Sequence, residues 1–84
     1  MENNNETSWE EKGGLLVKIF QYPDFSAALQ FVNSVGELAE KHQHHPDISI
    51  FNYNQVLISL TTHDAGSTVT EKDFQLAAKI DALG

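Results

Sequence analysis

Residues 13–42 read GGLLVKIFQYPDFSAALQFVNSVGELAEKH, and the fold is decided there. Gly13-Gly14 is a two-residue hairpin signal between segments at 8–12 and 15–22. Leu15, Val17 and Ile19 alternate with Leu16, Lys18 and Phe20. That alternation predicts a strand with one face buried and the other partly covered. Pro23 and Asp24 then open a helix, since proline suits a first helical position and an early acid complements the helix dipole. Phe25, Ala28, Leu29, Val32, Val35 and Ala39 recur at spacings of three and four, and Phe31 and Leu38 widen the stripe. Gly36 costs about 1 kcal/mol relative to alanine inside a helix and is expected where another element approaches closely. The helix should end near Lys41 or His42, ahead of the break at Pro46.

Further along, 48–53 and 55–62 read as two strands with turn residues at 52–55. Val56, Ile58 and Leu60 form one face of the second strand; Leu57, Ser59 and Thr61 form the other. A loop at 63–68 follows. Thr70 and Asp73 have capping-box spacing, and Val69 and Phe74 are placed as a hydrophobic staple. Phe74, Ala77, Ala78 and Leu83, with Leu76 and Ile80 alongside, supply the apolar face of a last helix. The order β-β-α-β-β-α predicts an α+β domain, a four-stranded antiparallel sheet with two main helices packed on one face. Residues 1–7 are polar without periodicity and read as a disordered tail; 8–84 read as a single domain.

Composition narrows the function. The chain has 84 residues, 12 acidic side chains, 5 lysines, no arginine and no cysteine, with a net charge of -7. A domain this short buries only about 60% of its unfolded surface, so self-association is expected to add stability. Without cysteine there is no disulfide framework and no thiolate metal site. The lysines are scattered singly, which argues against nucleic acid and acidic membranes. Lack of the bidentate arginine fork argues against a phosphorylated ligand. No apolar run approaches the roughly 20 residues of a membrane helix, and the polar, acidic N-terminus resembles no signal or transit peptide. A cytoplasmic protein is the expectation.

Chemistry concentrates in the histidines, all four of which lie between positions 42 and 63. His44 and His45 precede Pro46, which favours an extended backbone at His45, so the two imidazoles point in different directions. If the strand ending at Thr62 pairs near this corner, His63 converges with them. Three readings compete: surface histidines at element ends, a zinc, nickel or copper site, and acid–base catalysis by groups that titrate near neutrality. No cysteine nucleophile and no G-x-S-x-G elbow is present, so catalysis here would run through protons.

The stretch at 40–73, EKHQHHPDISIFNYNQVLISLTTHDAGSTVTEKD, resembles the pterin-4a-carbinolamine dehydratase family. The positions that carry the resemblance are Glu40, His44, His45, Pro46, Tyr53, His63 and Asp73. YPDFSAALQFVNSVGELAEK resembles the family's first long helix and DFQLAAKID its last, so the likeness covers roughly residues 9 to 83. What it implies is dehydration of 4a-hydroxytetrahydrobiopterin to quinonoid dihydropterin and water, in tetrahydrobiopterin recycling, with neither metal nor organic cofactor.

By the same resemblance His44, His45 and His63 are the catalytic histidines. His45 and His63 are the principal proton-transfer pair, with His44 a second acid near the departing hydroxyl. Glu40, Pro46, Thr62, Asp64 and Asp73 are the implied substrate-binding set. Glu40 would orient an imidazole by accepting its N–H. Asp73 would cap its helix and face the pocket at once. Tyr53 is expected as wall or core, Trp9 as packing for the first strand, and His42 as surface. The loop departs from the family pattern, with Ser67 where a glycine is common and one extra residue before Asp73. The family's habit implies a homodimer or homotetramer, for which Leu57 offers a contact on the face opposite Val56, Ile58 and Leu60. Alternatives are a non-catalytic interaction or dimerisation cofactor for a protein partner, as some mammalian members are, and a pterin-binding relative in folate or molybdopterin metabolism.

Overall fold

The computed structural model describes residues 8–83; the tail expected at 1–7 lies outside them. Gly13 and Gly14 both have positive φ and turn the chain between β1 (Glu10–Lys12) and β2 (Leu15–Gln21), as a two-residue hairpin requires. After β2 come α1 (Phe25–His42), β3 (Asp47–Phe51), β4 (Gln55–Leu60), a short 3-10 turn (His63–Ala65) and α2 (Glu71–Leu83). The strands form one antiparallel sheet in the order β1-β2-β4-β3. The β-β-α-β-β-α architecture is thus the one the sequence predicts.

Register decides which side of the sheet is buried. Leu16 pairs with Leu60, Lys18 with Ile58 and Phe20 with Val56. All six side chains are buried beneath the helices, with the Phe20 ring tilted against that of Phe31 at a centroid separation of 4.7 Å. A residue one position away lies on the opposite face, so Val17, Ile19 and Leu57 lie together on the side away from the core.

Lys18 is the exception on the buried face. It is 6% exposed. Its ammonium reaches Asp81 Oδ1 at 2.8 Å, and Trp9 Nε1 donates to the same carboxylate at 3.1 Å. This charge pair ties the hairpin to the end of α2. Trp9 also meets Phe20 edge-on, in keeping with its expected packing role.

Several local expectations are corrected. Asp24, not Pro23, begins α1: its backbone is extended and its carboxylate accepts from the Ala27 N–H at 2.8 Å. It is therefore the N-cap, and Pro23 lies outside the helix. The buried stripe of α1 is Ala28, Phe31, Val35 and Ala39, whereas Phe25 and Leu29 are exposed. A Cβ at Gly36 would meet nothing within 4 Å, so no element crowds it; Gly14 is the crowded glycine, with Ser67 O 2.7 Å from where its Cβ would stand. On α2 the stripe is Asp73, Leu76, Ala77 and Ile80. Phe74 is 52% exposed and Leu83 is also exposed, so neither belongs to the buried face, while Val69 packs against the core. Tyr53, expected as wall or core, stands 64% exposed at the tip of the β3–β4 hairpin.

Candidate functional site

Three chain segments meet at one end of the sheet. The first is the corner after α1. Gln43 adopts the left-handed conformation and its N–H bonds the carbonyls of Ala39 and Glu40, which ends the helix. Its side chain also donates to the Glu40 carbonyl at 2.7 Å. The next two residues leave the axis sharply, so His44 and His45 take different partners.

The second segment is the loop after β4. Thr62 bridges to Thr68, with the Thr62 N–H donating to the Thr68 carbonyl at 2.9 Å. Inside that closure His63 begins the 3-10 turn, which ends at Gly66. Ser67 has φ of 58°, a left-handed value that favours glycine; the conformation common glycines allow is kept here by serine. Ser67 Oγ lies 3.5 Å from His63 Nδ1. Thr61 Oγ1 donates to the Gly14 carbonyl at 2.9 Å, so the loop rests on the first hairpin.

The third segment is the start of α2. The Asp73 side chain is fully buried yet all its partners are donors. Its Oδ2 accepts from the Thr70 N–H at 2.9 Å and from Thr62 Oγ1 at 2.8 Å. Its Oδ1 lies 2.6 Å from His44 Nε2. The contact from Thr70 is one half of the predicted capping box. The other half is diverted, because Thr70 Oγ1 bonds Thr62 Oγ1 at 2.6 Å. Burial by itself would raise the Asp73 carboxyl. The hydrogen bonds from His44, the Thr70 backbone and Thr62, together with the charge of His44, outweigh it and hold the pKa below its ordinary value of 3.8. Asp73 therefore stays ionised at neutral pH and acts as a fixed acceptor for the His44 Nε2–H, leaving Nδ1 as the nitrogen not engaged by Asp73.

His45 has a parallel but weaker partner. Its Nε2 lies 2.6 Å from Glu40 Oε2, with both side chains more than half exposed. Water competes with that contact as it cannot with the Asp73–His44 pair.

These segments enclose an open cleft of about 180 Å³ lined by Gln43, His44, His45, Thr61, Thr62, His63, Asp64 and Lys72. All three histidines expected to be catalytic are thus brought together, along with Thr62 and Asp64. Glu40 and Asp73 act from behind, each through a histidine. Pro46 is outside the lining and sits at the α1–β3 corner. Gln43, Thr61 and Lys72 were missed. Lys72 was legible in principle, because it neighbours Asp73 in the first turn of α2. Gln43 and Thr61 become visible only once the helix end and the register of β4 are known. Among the described residues, no group of three His, Asp or Glu side chains is placed to hold a metal ion, and no helix is long and apolar enough to cross a membrane.

A small α+β sheet carrying a carboxylate-backed histidine cleft defines a protein class suited to proton transfer on a polar ligand. Comparison with known proteins makes the class specific. The family model for pterin 4 alpha carbinolamine dehydratase matches residues 1–83, and the chain belongs to that family. Two curated relatives bear the provisional name pterin-4-alpha-carbinolamine dehydratase. One, from Sulfurisphaera tokodaii, is 45% identical over 82 residues, covering 98% of this chain and 86% of its own. The other, from Chloroflexus aggregans, is 52% identical over 83 residues, covering 99% and 77%. Among solved structures, a transcriptional coactivator/pterin dehydratase from Brucella melitensis superposes with a TM-score of 0.81 at 33% identity, covering 90% of this chain and 81% of that one. A pterin dehydratase-like protein described as a RuBisCO assembly factor in the alpha-carboxysome gives 0.80 at 27% identity, covering 98% and 95%.

Proposed function

We propose that this protein, acting through a single domain at 8–84, dehydrates a pterin-4a-carbinolamine to the quinonoid dihydropterin and water. The observation that carries the reading is the convergence of His44, His45 and His63 on one cleft, with His44 held by a buried, ionised aspartate. The reaction needs two proton movements. One imidazolium gives a proton to the C4a hydroxyl as the C–O bond breaks. One neutral imidazole takes the proton from a ring N–H as the nitrogen lone pair forms the C=N bond. The released hydroxyl and the donated proton make the water, so the charges balance without a redox partner.

His45 and His63 are assigned the principal transfer, and His44 the role of a second acid near the hydroxyl. Thr62 and Asp64 shape the ligand's surroundings, Pro46 directs the chain away behind His45, and Glu40 and Asp73 orient imidazoles. General acid–base help of this kind is worth about 10²–10⁴-fold. The setting is tetrahydrobiopterin recycling in the cytoplasm, by a homodimer or homotetramer. Self-association is supported by apolar side chains away from the core, Ile19 and Phe51 among them.

A direct dehydration assay on chemically generated carbinolamine tests the reading with the wild type, H44A, H45A and H63A. Turnover by the wild type and a fall of about 10²-fold or more in folded H45A and H63A supports it. An unchanged rate in H63A removes His63 from the chemistry. The names of the solved relatives motivate the second reading, a non-catalytic partner-binding role. The exposed Phe74 and Leu83 of α2 would serve it without the histidines. A folded wild type with no turnover would favour that role.

A further inference from the structure

Beside the histidine cleft lies a larger cavity, about 300 Å³, lined by His42, Gln43, His44, Lys72, Gln75, Leu76 and Lys79. The two share Gln43, His44 and Lys72, so they form adjoining parts of one depression. No carboxylate lines the second cavity, although the chain has 12 acidic residues and only 5 basic ones. Lys72, Gln75 and Lys79 recur at three and four residues along α2 and so share one face, towards the end of α1 that carries His42 and Gln43. Of the other three lysines, Lys12 pairs with Glu10 and Lys18 with Asp81, while Lys41, at the end of α1 and outside this cavity, makes no ion pair among the described residues. Among the described residues, neither Lys72 nor Lys79 makes an ion pair. Two ammonium groups without an ion pair, two amide side chains and the His42 imidazole therefore surround this space, together with His44, whose Nε2 is held by Asp73.

We propose that this cavity is a subsite for an anionic group, a phosphate or carboxylate, on the side chain of the pterin whose ring occupies the histidine cleft. The inference rests on the pterin reading above and narrows its substrate class to pterins with an anionic side chain, in place of tetrahydrobiopterin, whose dihydroxypropyl chain is neutral. It replaces the expectation, drawn from the absence of arginine, of an unphosphorylated ligand. Lysine binds phosphate as a point charge without the arginine fork, and Lys72 and Lys79 supply two such charges. Leu76 gives the cavity an apolar wall, and the Gln43 and Gln75 amides add donors. His42, expected as a bystander, becomes part of this wall.

Fluorescence titration of the full chain tests the idea with three probes: 6-hydroxymethylpterin, its phosphate monoester and pterin-6-carboxylate. In 50 mM salt the phosphate ester should bind at least about tenfold more tightly than the alcohol, and the preference should shrink in 300 mM salt. In K79Q it should fall to about threefold, and in K79E it should vanish. A stronger preference for the ester than for the carboxylate assigns the phosphate; the reverse assigns the carboxylate. Lys79 is exposed, so both variants should fold, as circular dichroism would verify. Equal binding of the alcohol and both anions overturns the subsite while leaving the pterin reading intact, as does a preference that survives K79E. Failure of all three probes to bind overturns the pterin reading and the subsite with it.

Discussion

Replacing Asp73 by asparagine keeps the shape of the side chain and removes its charge. In the native protein Asp73 Oδ2 accepts from Thr62 and the Thr70 N–H, while Oδ1 meets His44 Nε2 at 2.6 Å. Asparagine can satisfy the first two donors only by turning its oxygen towards them, which directs its NH₂ at His44. Nε2 must then accept, and the imidazole proton moves to Nδ1. His44 becomes a neutral donor on its other side, unable to act as a base there and a very poor acid. The role of His44 is lost in either direction of proton transfer, with almost no change in volume.

With His45 and His63 intact, we expect the lower end of the acid–base contribution. That is a fall of about 10²-fold in kcat/KM, or about 2.7 kcal/mol of transition-state stabilisation. The buried charged hydrogen bonds become neutral ones, costing about 2 kcal/mol of stability and lowering Tm by about 10 °C in a domain of this size. The stability effect has a pH signature. The folded Asp73 pKa is depressed, so its contribution is present above the ordinary value of 3.8 and is lost as pH falls through the lower folded value. Urea melts should therefore show a larger gap between wild type and D73N at pH 7 than at pH 3. A folded D73N with kcat/KM within twofold of wild type would refute the argument that Asp73 sets the His44 proton.

Two further perturbations separate exposed contacts from buried ones. E40Q should lower kcat/KM by less than about threefold in the same assay, because the His45–Glu40 pair is solvated and glutamine can still accept from the imidazole. A larger loss than in D73N would reverse the ranking of the two carboxylates. D81A should cost about 2 kcal/mol in urea melts, since it leaves the buried Lys18 ammonium without its 2.8 Å partner. The double variant K18M/D81A should recover at least half of that loss, because the uncompensated buried charge is gone.

The fold was largely legible because periodicity encodes it. Alternation in 15–20, helical spacing in 25–39 and the Gly13-Gly14 turn each follow from local geometry, and the register then had one solution that buries Leu16, Phe20, Val56, Ile58 and Leu60 together. Four of the exceptions share one cause. Phe25, Leu29, Phe74 and Leu83 are apolar and lie near a helical stripe, but hydrophobicity alone does not say how wide a strip the sheet will cover. Helix rotation settled that, exposing these four and burying Asp73 instead.

The site divides in the same way. His44, His45 and His63 could be named from the chain, as could the capping tie between Thr70 and Asp73, which are three residues apart. That Asp73 would bond His44, 29 residues away, or that Thr62 would join Thr70, depends on how the end of α1 and the start of α2 dock beside β4. The adjoining cavity depends on that docking too. Lys72 and Lys79 read singly as scattered surface charges, and only the packing of two helices places them beside His42 and His44 around a cavity that no carboxylate lines. Sequence determined which groups are available and which local turns they occupy. Tertiary structure decided their partners, and with them which carboxylate stays charged and which imidazole nitrogen is left to act.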